Sequence, residues 1–469
     1  FFFKGLGLIY CLAFGSLLSQ VQGLFGSYGI LPISSVMRYV QQFGLSVGQL
    51  PTVFWMSYSD TMIMAVPILG VCCGVMMMVS SRYLRLWSLL AWGLYLSIVT
   101  VGQAFMSFQW DVLLLEVGFL ALLFNPCHPS RWIRFLVQWL LFRVLFASGM
   151  VKLMSGDLSW RGLTALNYHY WTQPLPHIGS WWVHQFAPLF HQISTVVMFV
   201  IELIIPWFIF GGRRLKMGAF VGINVLMVSV ILTGNYGFFN VLVMIMTLLL
   251  LDDLSWNWLK QLPPNPLSIT NVTKRGRNML YVYKVGVIGI SVVIILLSFP
   301  ADLNRFLSPN YQITFLRPLF NYVQPFRIVN GYGLFAVMTK TRPELIVQGS
   351  DDGVSWKEYM FKWKTNEVFR RPQWAFPYHP RLDWQLWFAG LGTFEGNRWL
   401  LGLLRGLSMN HPHVLGLLHH NPFSDHVPSY LRIMKSNYTF TTVAQWRKTG
   451  QWWVSGDVVP YSPVFKLNP

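Results

Sequence analysis

Charge is what this chain has least of. Asp, Glu, Lys and Arg make up 11% of its 469 residues, against about 25% in a soluble domain. With 54% hydrophobic residues and a mean hydropathy of +0.45, an ordinary soluble protein is excluded. Cysteine is scarce as well: Cys11, Cys72, Cys73 and Cys127, and none beyond. The C-terminal part therefore has no disulfide, and the lack of CxxC argues against a self-contained thiol oxidoreductase. Cys72 and Cys73 sit in an apolar run and read as small buried hydrophobes. There is no Walker A loop, no GxGxxG after a strand, no HExxH and no GxSxG elbow, so a lipase is unsupported. His177, His184 and His191 are seven apart, but Pro176 and Pro188 break any helix through them. No metal and no cofactor is expected.

What is present is long apolar stretches. Nine candidate spans lie near 5–22, 61–79, 86–106, 111–125, 133–153, 190–210, 215–233, 237–251 and 281–299. The fourth and eighth are short. The formal net charge of +18 first suggests nucleic acid, but the basic residues fall in short loops between spans, so no nucleic-acid partner is expected. Lys4, the pair Arg82 and Arg85, the pair Arg131 and Arg134, and the trio Arg213, Arg214 and Lys216 all fall on one side. Lys260, Lys274, Arg275, Arg277 and Lys284 join them, and the other side holds only Arg38 and Arg161 before residue 300. The positive-inside rule then puts the N-terminus inside and the C-terminus outside. The expected architecture is a polytopic α-helical membrane bundle of about nine spans over 1–299. A β-rich, sandwich-like extramembrane domain with helical insertions follows over 300–469.

Strand patterns carry that second part. In ELIVQGSDDGVSWKEYMFKW (344–363) alternating apolar residues flank Asp352-Gly353, a strong hairpin signal. Similar strand–turn–strand stretches occur in discoidin-like β-sandwiches. Residues 383–408 read as helical with Asp383 as N-cap, and 430–442 as another strand. Asn437-Tyr438-Thr439 is a glycosylation candidate if the C-terminus is outside, whereas Asn271-Val272-Thr273 falls in an inside loop.

The chemistry concentrates between Trp139 and Trp182. Four ionisable residues fall inside spans: Glu116, Arg143, Lys152 and Glu202. Such residues are costly and mark interior sites. Counting depth at about 1.5 Å per residue pairs Glu202 with Arg143 and Glu116 with Lys152. As pure structure, the pairs lock helices together; as chemistry, a desolvated Lys152 would handle protons. Trp160, Arg161, Asn167, Tyr168, His169, Asn235, Tyr236 and Asn240 lie on the side of Lys152 and are expected to line one outer-face cavity. An interfacial aromatic belt would explain the Trp and Tyr residues but not the amides and His169.

Several blocks are recognisable. FQWDVLLLEVGFLALL (108–123), WLLFRVLFASGMVKLMSGDLSWRGLTALNYHY (139–170), ILTGNYGFFN (231–240), LLLDD (249–253), NGYGLFAVMTKTRPELIVQGSDDGVSWKEY (330–359) and PRLDWQLWFAGLG (380–392) closely resemble the lipase maturation factor family. The resemblance runs in order along nearly the whole chain. It implies a polytopic membrane protein, in animals of the endoplasmic reticulum, with a lumenal domain. It also implies secreted clients, namely lipoprotein, hepatic and endothelial lipases, which it helps to fold and assemble. The chain lacks the long polar insertions of the animal members and looks like a compact relative, of a kind a bacterium would carry; "outside" would then be the periplasm and the membrane the inner one. Trp374, Phe376, Trp384 and Trp387 are expected to grip a client through exposed rings, and membrane lipid is the other expected partner.

A shorter stretch, FASGMVKLMSGDLSW, is similar to a segment of vitamin K-dependent gamma-carboxylases. That resemblance puts Lys152 where those enzymes hold a catalytic base, with Val151 in place of a neighbouring lysine. It implies the alternative reading, a membrane-embedded enzyme with a quinone- or lipid-binding cavity. A ligand-sized cavity beside Lys152 is expected of that enzyme, and a closed bundle of the maturation factor.

Overall fold

The computed structural model describes residues 1–124, 130–252, 274–306, 316–365 and 367–467. Cys127, the sequon at Asn271 and the Pro263-Pro264-Pro266 loop lie outside them.

Each of the nine apolar stretches is helical. We number the helices α1 (Phe2–Leu18), α2 (Asp60–Val79), α3 (Leu84–Val101), α4 (Gln109–Leu123), α5 (Arg131–Met154), α6 (Pro188–Phe210), α7 (Arg213–Ile231), α8 (Phe239–Thr247) and α9 (Lys274–Phe306). Among the described residues, α2, α3, α5, α6, α7 and the 281–303 part of α9 are long and apolar enough to cross a membrane. α1 and α8 are apolar but shorter, and α4 is 15 residues long. Helix starts follow local chemistry: Ser59 and Ser130 accept backbone N–H bonds from Met62 and Trp132, satisfying donors that a first turn leaves open.

α6 is not a regular helix. Its α-helical turns end at Phe199, a π turn covers Val200–Ile204, and a 3₁₀ stretch runs to Phe210. Pro206 is the cause at the sequence level. It has no N–H to give to the carbonyl of residue 202, and its ring would crowd that carbonyl. Glu202 is thereby placed in the widened turn.

The connection after α5 folds into three short helices, Leu158–Arg161, Leu166–Thr172 and Ile178–His184. Asp157 starts the first by accepting bonds from the Ser159 N–H and hydroxyl, both at 2.8 Å.

The C-terminal part holds one antiparallel five-stranded sheet. Its strands run β2 (Lys357–Glu358), β1 (Pro343–Ser350), β5 (Tyr430–Phe440), β6 (Trp453–Pro460), with β7 (Phe465–Lys466) also on β5. A separate ribbon pairs β3 (Met360–Phe361) with β4 (Leu418–His420). The anticipated hairpin is there, with Gln348 opposite Glu358 and Gly349 opposite Lys357. Its turn is held by Asp352, which accepts bonds from Val354 N–H at 2.8 Å, Ser355 N–H at 2.7 Å and the Ser350 hydroxyl at 2.9 Å. Gly353 has φ +75°, where a side chain is strained.

A sandwich-like pair of facing sheets was expected; the described residues form the five-stranded sheet and the two-stranded ribbon, with helices packed beside them. The 383–408 stretch is two helices, α10 (Arg381–Gly390) and α11 (Trp399–Ser408), separated by a turn containing Gly392 and Gly396. Asp383 does not cap α10. It lies in the first turn and accepts bonds from the Trp363 and Lys364 N–H groups, both at 2.9 Å.

The sheet part is not set apart from the bundle. One apolar core runs continuously from α1 and α4 to α10 and β1. Arg381 of α10 reaches into the helices and binds Asp111 with both amino nitrogens at 2.8 Å, beside the Phe105 carbonyl at 2.7 Å. Arg342 bonds the carbonyls of Trp171, Gln173 and Pro174 and pairs with Glu344 at 2.6 Å.

Candidate functional site

The four charges come together in pairs that differ from the depth count. Arg143 of α5 binds Glu116 of α4 at 2.9 Å and Asp302 of α9 at 2.7 Å. Lys152 binds both carboxylate oxygens of Glu202, at 2.8 and 2.7 Å. Glu116 therefore belongs to Arg143, and Glu202 to Lys152.

The physical reasons are local. A helical side chain leans toward the helix N-terminus. The Lys152 ammonium accordingly sits a turn deeper than its Cα, where it donates to the Ser148 carbonyl at 3.1 Å. The π turn shifts Glu202 off the regular spacing. Gly149 then lets α6 come close, for a Cβ there would lie 2.6 Å from Leu203 Cδ2 and 3.1 Å from Glu202 Cβ. Asp302 was missed because α9 runs past the expected end at 299.

Around Arg143 the polar groups close on one another. Glu116 accepts from the Tyr332 hydroxyl at 2.8 Å and from the Asn330 N–H and amide, both at 3.0 Å. Arg143 also donates to the Asn330 carbonyl. A buried network with every member bonded holds a fixed geometry. The NGYG segment (330–333) thus pins the start of the C-terminal part to the bundle.

Lys152 borders a cavity of about 620 Å³, within the roughly 300–1,000 Å³ typical of ligand sites, so the closed bundle expected of a maturation factor is not what the structure shows. Of the residues expected there, Trp160, His169 and Tyr236 line it, with Lys152 and Glu202. The Trp160 ring stands 5.5 Å from the Lys152 ammonium and donates its N–H to the Phe335 carbonyl at 3.0 Å.

The other expected cavity residues are elsewhere. Arg161 is exposed and reaches back to the Leu153 carbonyl at 3.4 Å. Tyr168 packs under Lys340, its ring 5.9 Å from the ammonium. Asn167 sits in the first turn of its short helix, where its carbonyl takes the Trp171 ring N–H at 3.3 Å. Asn235 is a clamp: its amide donates to the Leu175 and Gln373 carbonyls and accepts from the Ala375 and Phe376 N–H groups. Asn240 bonds the Met227 carbonyl, tying α8 to α7.

The aromatic grip is also corrected. Trp384 and Trp387 are buried, with ring N–H groups donated to the Asn235 carbonyl at 3.2 Å and the Thr172 carbonyl at 2.8 Å. α10 lies against the top of the bundle, so its apolar rings are the joint itself. Phe376 is half-buried. Trp374 alone of the four is exposed, stacked on His177 with ring centres 4.6 Å apart. Asn437 is exposed on β5.

Histidines near the site are held neutral. Burial pushes His169 down to about 4, helped by the Lys152 charge, and burial likewise brings His177 to about 4. Lys152 is poorly placed to act as a base. Its three hydrogens are donated to Ser148 and to both oxygens of Glu202.

Sequence comparison fixes the family. A model described as the lipase maturation factor transmembrane domain matches residues 1–258, and one described as the lipase maturation factor C-terminal domain matches 328–463. The chain belongs to the lipase maturation factor family. Lipase maturation factor 2 of Rattus norvegicus is 31% identical over 100% of this chain and 83% of its own length. Lipase maturation factor 1 is 33% identical in Bos taurus and 32% in Homo sapiens, in each case over 87% of the relative. No solved structure matches the chain. As a family member with six helices fit to cross a bilayer among the described residues, it is an integral membrane protein.

Proposed function

We propose that this protein is a membrane-anchored maturation factor for secreted lipases. The observation that carries the reading is the match itself, which spans nearly all of this chain and more than four-fifths of relatives named for lipase maturation. The structure adds a physical reason to treat the chain as a working unit. Its bundle and sheet share one core and are cross-linked by Arg143, Arg342 and Arg381. A client gripped by the outer part would therefore be held at a fixed height above the membrane.

The topology that fits is nine spans with the N-terminus inside and residues 300–469 outside, the three shorter helices being sheltered by their longer neighbours. It is supported by the alternation of basic-rich and basic-poor connections along the sequence. For the client, Trp374 stays a candidate, and β6 joins it. This strand is one edge of the sheet, and no strand pairs with its outer side among the described residues. It exposes Val454, Val458 and Val459. An open edge can take up a strand of an unfolded chain.

The test is co-expression of the full chain with a secreted lipase in cells lacking their own maturation factor. Secreted lipase activity should rise while lipase synthesis stays constant, and Val458→Lys should weaken the effect. Unchanged activity, with a mammalian relative active in the same cells, would refute the reading.

A further inference from the structure

The cavity beside Lys152 has two unlike ends. Its mouth is apolar. Phe190, Ile193 and Val197 of α6, Val225 of α7 and Leu232 just after it line the cavity and are also exposed on the outer surface. Both helices are long and apolar enough to cross a membrane, so this mouth opens sideways onto hydrocarbon. A slot between two neighbouring helices admits a chain.

The inner end is polar and rich in acceptors. Gln173 donates its amide to the Tyr170 and Thr233 carbonyls, which fixes its oxygen toward Tyr236. The Tyr236 hydroxyl gives its one hydrogen to that oxygen at 3.0 Å. His169 Nε2, 3.3 Å from the same hydroxyl, must then be the donor, which leaves Nδ1 as an open acceptor. Glu202 receives bonds from Lys152 alone among the described residues, though a carboxylate offers about four acceptor sites. Lys152 has no hydrogen left to give. A group that fits this end brings hydrogens and no charge. A fatty carboxylate or a phosphate would bring further acceptors and face Glu202.

We propose that the cavity holds one neutral, hydroxyl-bearing lipid, a monoacylglycerol in kind. Its hydroxyls donate to Glu202 and His169, and its acyl chain leaves between α6 and α7 into the bilayer. This assignment is independent of the lipase reading, since it concerns the bundle alone.

The experiment uses the full chain in phosphatidylcholine nanodiscs, with no lipase present. A diazirine-tagged monoacylglycerol and a diazirine-tagged fatty acid of equal chain length are photolysed in parallel, and adducts are mapped by mass spectrometry. Monoacylglycerol adducts should concentrate on the cavity faces of α6 and α7 and saturate. Unlabelled 1-oleoylglycerol should displace them, and Val197→Trp, which fills the mouth, should reduce them at least about tenfold, or about 1.4 kcal/mol. Equal labelling by the fatty acid would overturn the neutral-headgroup assignment. Even labelling of α2 and α9, without displacement, would overturn the site. Where Val197→Trp does not fold, displacement in the unmodified protein decides the matter alone.

Discussion

Lys152 and Glu202 face each other across α5 and α6 with the ammonium nitrogen within 2.8 Å of both carboxylate oxygens. Both side chains are nearly inaccessible to water, so each charge depends on the other. Lys152→Met or Glu202→Gln alone should destabilise the protein by about 3–5 kcal/mol, while the double variant recovers most of the loss. Thermal unfolding in detergent would measure it. Pairing Lys152→Met with Glu116→Gln should give no rescue, because Glu116 belongs to Arg143.

Arg381 fastens the outer helix to the bundle by a two-pronged bond to Asp111. Arg381→Lys cannot reproduce that fork. It should cost about 1–3 kcal/mol and should make the 381–408 segment cleavable by a protease that leaves the parent chain intact. A variant as resistant as the parent would show that the apolar joint suffices.

In the hairpin, Asp352 carries the turn and Asp351 does not. Asp351 pairs at the surface with His426 at 3.0 Å, whereas Asp352 accepts three bonds. Asp352→Ala should therefore lower the melting temperature more than Asp351→Ala. Gly353→Ala should cost about 1 kcal/mol, since φ is +75° there. Those turn bonds hold the Asp352 carboxyl well below its usual range, so its contribution is present above about pH 3.8 and lost as pH falls further.

Acid should loosen the aromatic segment first. His169, His177 and His184 titrate near 4 in the folded chain, chiefly through burial, against 6.5 when exposed. Between these values the unfolded chain binds more protons, so stability falls as pH drops from about 6.5 to about 4. A melting-temperature profile should show that slope, and His169→Gln should flatten it. An equal slope in the variant would mean that other groups set it.

Orientation can be read from sugar. In a eukaryotic membrane Asn437, exposed on β5, should carry a glycan and Asn271 should not. A glycan on Asn271 would reverse the proposed topology.

The sequence by itself determined the parts governed by neighbours along the chain. Apolar length located the helices, because a helix satisfies its own backbone, but not all of their ends: the last one runs on to Phe306 and carries Asp302 with it. Asp352-Gly353 set the hairpin turn, because only local bonds and a positive φ are involved. The same logic marked Glu116, Arg143, Lys152 and Glu202 as paired interior charges. Tertiary structure decided who pairs with whom. That choice turned on the backward lean of Lys152, the π turn before Pro206, the close approach at Gly149 and the descent of residues 330–332 onto Glu116. The lean and the π turn belong to single helices, but which charges they bring within reach depends on how the helices pack. Burial of Trp384 and Trp387 was decided the same way. An aromatic residue reads alike whether it faces a client or a neighbouring helix, and only the docking of α10 on the bundle chose between them.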